Sequence, residues 1–198
     1  MNTQNNTVVK LAETALLAAL CYVSFTFLQI KIPVPGGDAT SIHIGNAFCV
    51  LAALLLGGVY GGLAGAIGMG IADIMDPVYI TGAPKTFVLK FCIGLIVGLV
   101  AKKWKFGIVP AVITGIALSF ICPAIGTPIG IYVYGGLNGS VSDMLVMSLV
   151  QGGKTIFQAS FLRNVASNLI DKIGTCITGC LLIKAMPMRF MDNFKKEA

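Results

Sequence analysis

The side chains best equipped for chemistry in this 198-residue chain are few, and almost all lie inside or beside apolar runs. Lys85 follows the stretch from Asp76 to Pro84 and can begin a helix just after a proline; Lys90 lies more than one turn deeper. Two amines so spaced can serve the outer end of a pocket and attract a phosphate or carboxylate. Lys85 can equally send its amine to lipid headgroups. An amine as deep as Lys90 needs protein or a water-filled cavity around it, and Asp73 on the preceding segment is a candidate partner. His43 and Asn46 stand three residues apart at the start of an apolar run. Asn164 and Asn168, one turn apart, repeat that arrangement before another, with Asp171 three residues further on. Amides donate and accept, which suits a neutral heterocycle and equally suits frayed helix ends. Tyr79, Tyr132 and Tyr134 are either stacking partners for a flat ligand or interfacial anchors.

The patterns of covalent chemistry are missing from the sequence. It has one histidine, no serine nucleophile elbow and no paired carboxylates. Gln151-Gly152-Gly153-Lys154-Thr155 ends like a phosphate-binding loop, but Ser148 stands where that loop needs its first glycine. Cys21, Cys49, Cys92, Cys122, Cys176 and Cys180 all lie in apolar stretches without a CxxC pair, and read as small buried hydrophobes. No enzymatic activity, metal site or cofactor is expected. Uptake against a gradient must draw its energy from an ion or a partner.

Composition says what must hold these groups. The chain is 56% hydrophobic and 11% charged, where globular domains are about 45–50% apolar and about 25% charged. A chain this short cannot hide that much apolar surface in one core, so lipid is its solvent. A soluble enzyme, a nucleic-acid binder, a coiled coil and a disordered chain are excluded. The net charge of +6 gathers after apolar runs, in Lys102, Lys103 and Lys105 and again in Arg189, Lys195 and Lys196. Neither cluster forms a basic face with interleaved aromatics, so both read as membrane-flanking charge. The N-terminal MNTQNNTVVK has no cleavage pattern of a signal peptide.

The expected fold is an all-α membrane protein, a single domain over 1–198, with six transmembrane helices in a compact bundle. The spans fall at about 11–28, 44–57, 59–75, 86–101, 107–125 and 169–186. A single helix over 44–72 would measure about 43 Å against a hydrocarbon core of about 30 Å, and the glycine pairs at 57–58 and 61–62 offer a turn. Basic flanks prefer the cytoplasm, so both termini are expected there and 140–165 is expected to be loop or interfacial. Five spans with an outer N-terminus is the alternative. Six spans leave connections 29–43, 76–85 and 125–168 outside, where a small ligand would arrive. Small residues also recur at helical spacing, in Ala15 and Ala19, Gly61 and Gly65, and Gly94 and Gly98. Such faces let helices meet closely in lipid or dock a second membrane protein.

With these residues in view, the chain resembles the substrate-binding S components of energy-coupling factor (ECF) vitamin transporters. The likeness rests on TALLAAL with its Ala15–Ala19 pair, the loop IPVPGG, and HIGNAFCVLAALLLGGVYGGLAGAIGMGIADIM. APKTFVLKFCIGLIVGLVAKK and RNVASNLIDKIGTCITG continue it, and the riboflavin, hydroxymethylpyrimidine and pyridoxine-type branch is the most similar. The resemblance implies a high-affinity binding subunit of an ABC importer in a bacterial or archaeal cell membrane. Its partners would be a transmembrane coupling subunit and two ATPases, its ligand a vitamin or precursor, and nucleic acid would play no part. It carries the coupling-subunit contact onto Ala15 and Ala19 and makes His43, Asn46, Tyr79, Lys85, Lys90, Asn164 and Asn168 the candidate ligand groups. The long polar segment 135–168 departs from the family pattern. A stand-alone secondary transporter or channel, with Asp73 as its coupling carboxylate, is the competing reading.

Overall fold

The structure, a computed structural model, describes residues 3–34, 37–77, 79–137 and 142–186, with side chains except at 3–6, 29–34, 37–43, 134 and 142. The tail charges Arg189, Lys195 and Lys196 lie outside the described residues, as do the side chains of His43 and Tyr134. The chain forms helices α1 (Thr3–Phe27), α2 (Gly45–Leu56), α3 (Gly58–Met75), α4 (Ala83–Lys103), α5 (Ile108–Tyr134), α6 (Ser142–Gln151) and α7 (Ile156–Ala185). Five of them, α1, α3, α4, α5 and α7, are long and apolar enough to cross a membrane. α2 has 12 residues, about 18 Å, well short of a bilayer core.

The break expected within 44–72 falls at Gly57, which has φ +85° and ψ 171°. That region of backbone space belongs almost wholly to glycine. It lets α3 double back on α2 within a single residue.

Three expectations need correction. The connection 29–43, expected to be loop, is an antiparallel hairpin of β1 (Gln29–Val34) and β2 (Gly37–His43), paired Gln29 to His43 and Ile32 to Thr40. Ile30, Ile32 and Val34 alternate as a strand requires, and the register shifts between Ile32 and Val34, around Pro33, which has no N–H to give. Secondly, α5 does not stop near 125 but runs through Pro123 and Pro128 to Tyr134. Helix-breaking prolines are tolerated where neighbouring helices and hydroxyls satisfy the freed backbone. Thirdly, 140–165, expected to be loop or interfacial, is mostly helical: it holds α6 and the first turns of α7. Thr155 and Gln158 form a capping box, each side chain bonded to the other's backbone N–H at 3.2 Å, and start α7 at Ile156 rather than near 169.

The core joins α1, α2, α3, α4, α5 and α7 through Cys21, Cys49, Met69, Ile93, Leu118 and Cys176. Five of the six cysteines are buried; Cys92 is half-buried. Glycines set how closely the helices meet. A Cβ on Gly58 would lie 2.9 Å from the Leu95 carbonyl oxygen, and one on Gly62 would lie 2.8 Å from that of Phe91. Gly94 and Gly98 meet Gly62 and Gly58 from the other side. α3 and α4 therefore touch backbone to backbone. At one end of the bundle lie the hairpin, a 3-10 turn (Ile80–Gly82) and α6. At the other, Tyr60, Leu182, Ile183 and Met186 pack against the cluster that holds Leu51, Leu55 and Leu56, near Lys102.

Candidate functional site

Polar side chains from five helices, α2, α4, α5, α6 and α7, converge at the hairpin end of the bundle. α7 supplies most of them. Ser160, Arg163, Asn164, Asn168, Asp171, Lys172 and Thr175 recur at three- and four-residue steps, so they form one stripe along the helix. Ser160, Arg163, Lys172 and Thr175 are buried, although the helix is long enough to cross lipid.

The first half of the stripe lines a narrow cleft with Lys85 of α4, Thr127 of α5 and Gly136. The Ser160 hydroxyl donates to the Gly136 carbonyl at 3.1 Å, which ties the end of α5 to α7. The Asn164 amide donates to the Thr127 hydroxyl at 3.0 Å, and its oxygen accepts from Arg163 Nε at 3.3 Å and Nη2 at 3.2 Å. Arg163 Nη1 reaches Asp143 of α6 at 2.6 Å, a buried ion pair that fastens α6 across the cleft. The Lys85 amine stands at the wall, where a Cβ on Gly130 would lie 3.4 Å from it. The cleft encloses about 10 Å³, the threshold for a single water. It presents two cations, two hydroxyls and an amide in one place.

The second half of the stripe forms a deeper network. The Lys90 amine donates to Asn46 Oδ1 at 2.6 Å, and Asn46 Nδ2 donates to Asp171 Oδ2 at 3.3 Å. Lys172 pairs with the same carboxylate oxygen. Asn46 is 1% exposed, so it carries the link from the Lys90 amine to the half-buried Asp171 carboxylate through the interior. A lysine in mid-membrane costs about 3 kcal/mol unless it is partnered, and here the partner comes from α2. Asn168 joins the two halves: its amide donates to the Asn164 carbonyl at 2.8 Å, and its own carbonyl accepts from Ser119 of α5 at 3.0 Å.

The structure thus brings together Asn46 with Lys90, and Lys85 with Asn164, with Asn168 between the two groups. Tyr79 lies apart, exposed between α3 and the 3-10 turn. Tyr132 is 93% exposed, as an interfacial anchor would be. His43 closes β2 opposite Gln29. Asp73, the expected partner of Lys90, is buried in the last turn of α3 and is bonded by the Thr86 side chain. Ala15 and Ala19 are exposed on α1, while Ala18 packs inward against Gly68.

Arg163, Thr127, Asp171 and Lys172 belong to the constellation but were not among the expected ligand groups. The signal for Arg163, Asp171 and Lys172 was the polar periodicity of α7; Thr127, on α5, had none. An apolar-run criterion cuts α7 at 169 and hides that periodicity.

A profile described as "ECF-type riboflavin transporter, S component" matches residues 5–187. An uncharacterised protein of Pyrococcus woesei, from a gap 3' region, is 30% identical over 122 residues, 61% of this chain and 78% of that protein. No solved structure is matched. The profile takes in every described element of the bundle, including α6 and the whole of α7, so the polar segment that departs from the family pattern lies inside the family's own span. The chain therefore belongs to the S-component family of ECF-type riboflavin transporters, as a non-enzymatic membrane subunit that binds the substrate of an ECF importer and works with its coupling and ATPase subunits.

Proposed function

We propose that this subunit captures a flat, acceptor-rich heterocycle of the flavin type at the hairpin end, between α4, α5 and α7. The observation that carries this reading is the polar column from Lys85 and Arg163 down to Lys90 and Lys172 inside an otherwise apolar bundle. Membrane helices keep buried amines and amides where something uses them. Riboflavin, whose ring carbonyls accept hydrogen bonds, is the first ligand to test, since the matched family is named for it. The cleft is closed by its own side chains, so binding requires rearrangement, and the Arg163–Asp143 pair holding α6 is the contact that must loosen.

In this reading the bundle crosses the bacterial or archaeal cell membrane six times. α2 is a short span completed by the hairpin, and both termini are cytoplasmic. The basic cluster Lys102, Lys103 and Lys105 then faces inward. Ala15 and Ala19 form the surface that docks the coupling subunit. His43 and Tyr79 belong to the rim rather than to the cleft. A stand-alone transporter is not favoured: Asp73 sits at the end of a helix rather than deep in a span, and the family works with ATPases.

The test is titration of the purified protein with riboflavin, followed by quenching of flavin fluorescence. Tight binding that Lys90→Ala and Asn164→Ala each weaken at least tenfold supports the site. Tight binding unaffected by either variant moves the ligand elsewhere. If riboflavin does not bind, mass spectrometry of small molecules that copurify with the protein names the ligand, and finding none overturns the binding role.

A further inference from the structure

At the opposite end of the bundle, the Gly57 turn between α2 and α3 is recessed. Gly98 of α4 meets Gly58, yet α4 continues to Lys103, about 7 Å further along its axis. The start of α1, carrying Lys10, flanks the other side. Between these overhangs lies a recess of about 540 Å³. Its walls are aliphatic, from Leu54, Leu56, Val59, Leu95 and Leu99, and its polar side chains are Lys10, Lys102 and Tyr60.

We propose that this recess holds one anionic phospholipid, with its phosphate taken by Lys10 and Lys102 and acyl chain laid along Leu95 and Leu99. Three observations select that occupant. Leu99 and Val59 are 64% and 53% exposed, so the aliphatic wall is uncovered at the protein's surface, where an acyl chain can reach it. Trp104, 58% exposed, follows directly on α4, and an exposed tryptophan at a helix end marks headgroup level. The charge at this end is one-sided: Lys10, Lys102, Lys103, Lys105 and Lys184 face a single acid, Glu13, among the described residues. Basic pockets between helices at such a level recognise anionic headgroups. The recess is separate from the polar column, which shares neither lysine with it.

The test is native mass spectrometry of the full chain in detergent, with palmitoyl-oleoyl phosphatidylglycerol or the matching phosphatidylcholine added. The site predicts at least tenfold stronger retention of the phosphatidylglycerol. Lys10→Gln and Lys102→Gln together should weaken it about thirtyfold, about fivefold for each lysine. Lys103→Gln with Lys105→Gln removes the same charge outside the recess and should leave retention within about twofold. Circular dichroism melts without lipid check that both double variants fold. Equal retention of the two lipids overturns the proposal, as does an equal loss in both double variants. Displacement by millimolar inorganic phosphate would assign the lysines to a soluble anion. Copurification of the coupling subunit that depends on Lys10 and Lys102, without any lipid preference, would assign the recess to that protein; either result overturns the lipid.

Discussion

Two faces of small residues with the same four-residue spacing have opposite surroundings in this bundle. On α3 and α4, Gly58 and Gly62 meet Gly94 and Gly98 so closely that the helix backbones are in contact. On α1, Ala15 and Ala19 are exposed, while Ala18, about a quarter turn round the helix, lies against Gly68. Lipid tails are as apolar as leucine, so neither face gains from hydrophobic burial between helices; close packing is the only drive. The difference teaches how to read the motif. Glycine is needed where two backbones meet within one protein. Alanine keeps a methyl, which suits the proposed docking of a separate partner on α1. The spacing announces a close approach, and the residue type says how close.

The largest expected effect lies in the glycine seam. A Cβ on Gly94 falls on the backbone of Gly62, where no side-chain rotation relieves it, so α3 and α4 must part. Gly94→Ala should cost about 2–3 kcal/mol, the upper range for overpacking, and Gly94→Leu should leave no folded protein. Thermal melts and size-exclusion profiles in detergent check both. A Gly94→Ala melt within a degree or two of the parent would show that the seam yields, and the contrast with α1 would collapse.

The alanine face should give the opposite pattern. Ala15→Leu with Ala19→Leu adds bulk only outside the bundle, so melting and ligand affinity should stay unchanged. Uptake by vesicles that also contain the coupling and ATPase subunits should fall at least tenfold, together with copurification of the coupling subunit. A lowered melting point with intact uptake would turn α1 into a second internal seam.

Much of this was legible in the sequence, for a physical reason. Paired glycines inside an apolar run are rare unless backbone geometry demands them, so a turn within 44–72 was legible, whereas the spacing of Gly94 and Gly98 announced a close approach without saying whether its partner lay inside the chain. Lys90 was legible because an amine deep in an apolar run demands a partner. Its partner was not. Asn46 and Asp171 are 125 positions apart, and no local pattern joins them. The start of α7 was missed because the polar stripe that faces α5 lowers the apolar average of that segment, although Thr155 and Gln158 spell out its cap. The hairpin was missed because Pro33 outweighed the alternation of Ile30, Ile32 and Val34.

Gly57 separates backbone conformation from packing. Nothing lies within 4 Å of a Cβ built there, yet its φ is +85°. Gly57→Ala should therefore cost about 1–3 kcal/mol through backbone strain alone, less than Gly94→Leu, with ligand affinity retained in whatever folds. Chemical denaturation in mixed micelles measures it. A neutral result would mean that the α2–α3 turn relaxes freely and does not fix how α3 lies against α4.

The smallest effect should have the opposite sign. Gly174 on α7 is exposed, in ordinary helical conformation, with nothing within 4 Å of a built Cβ. Gly179, on the same helix, would drive its Cβ to 2.8 Å from Val50 Cβ. Gly174→Ala should stabilise by about 0.5–1 kcal/mol, the helical advantage of alanine over glycine, whereas Gly179→Ala should destabilise. If Gly174→Ala leaves the isolated protein more stable but lowers uptake with the coupling subunit present, a second glycine face on α7 meets the partner. The rule drawn from α1 would then need revision, because glycine as well as alanine would serve contacts between chains.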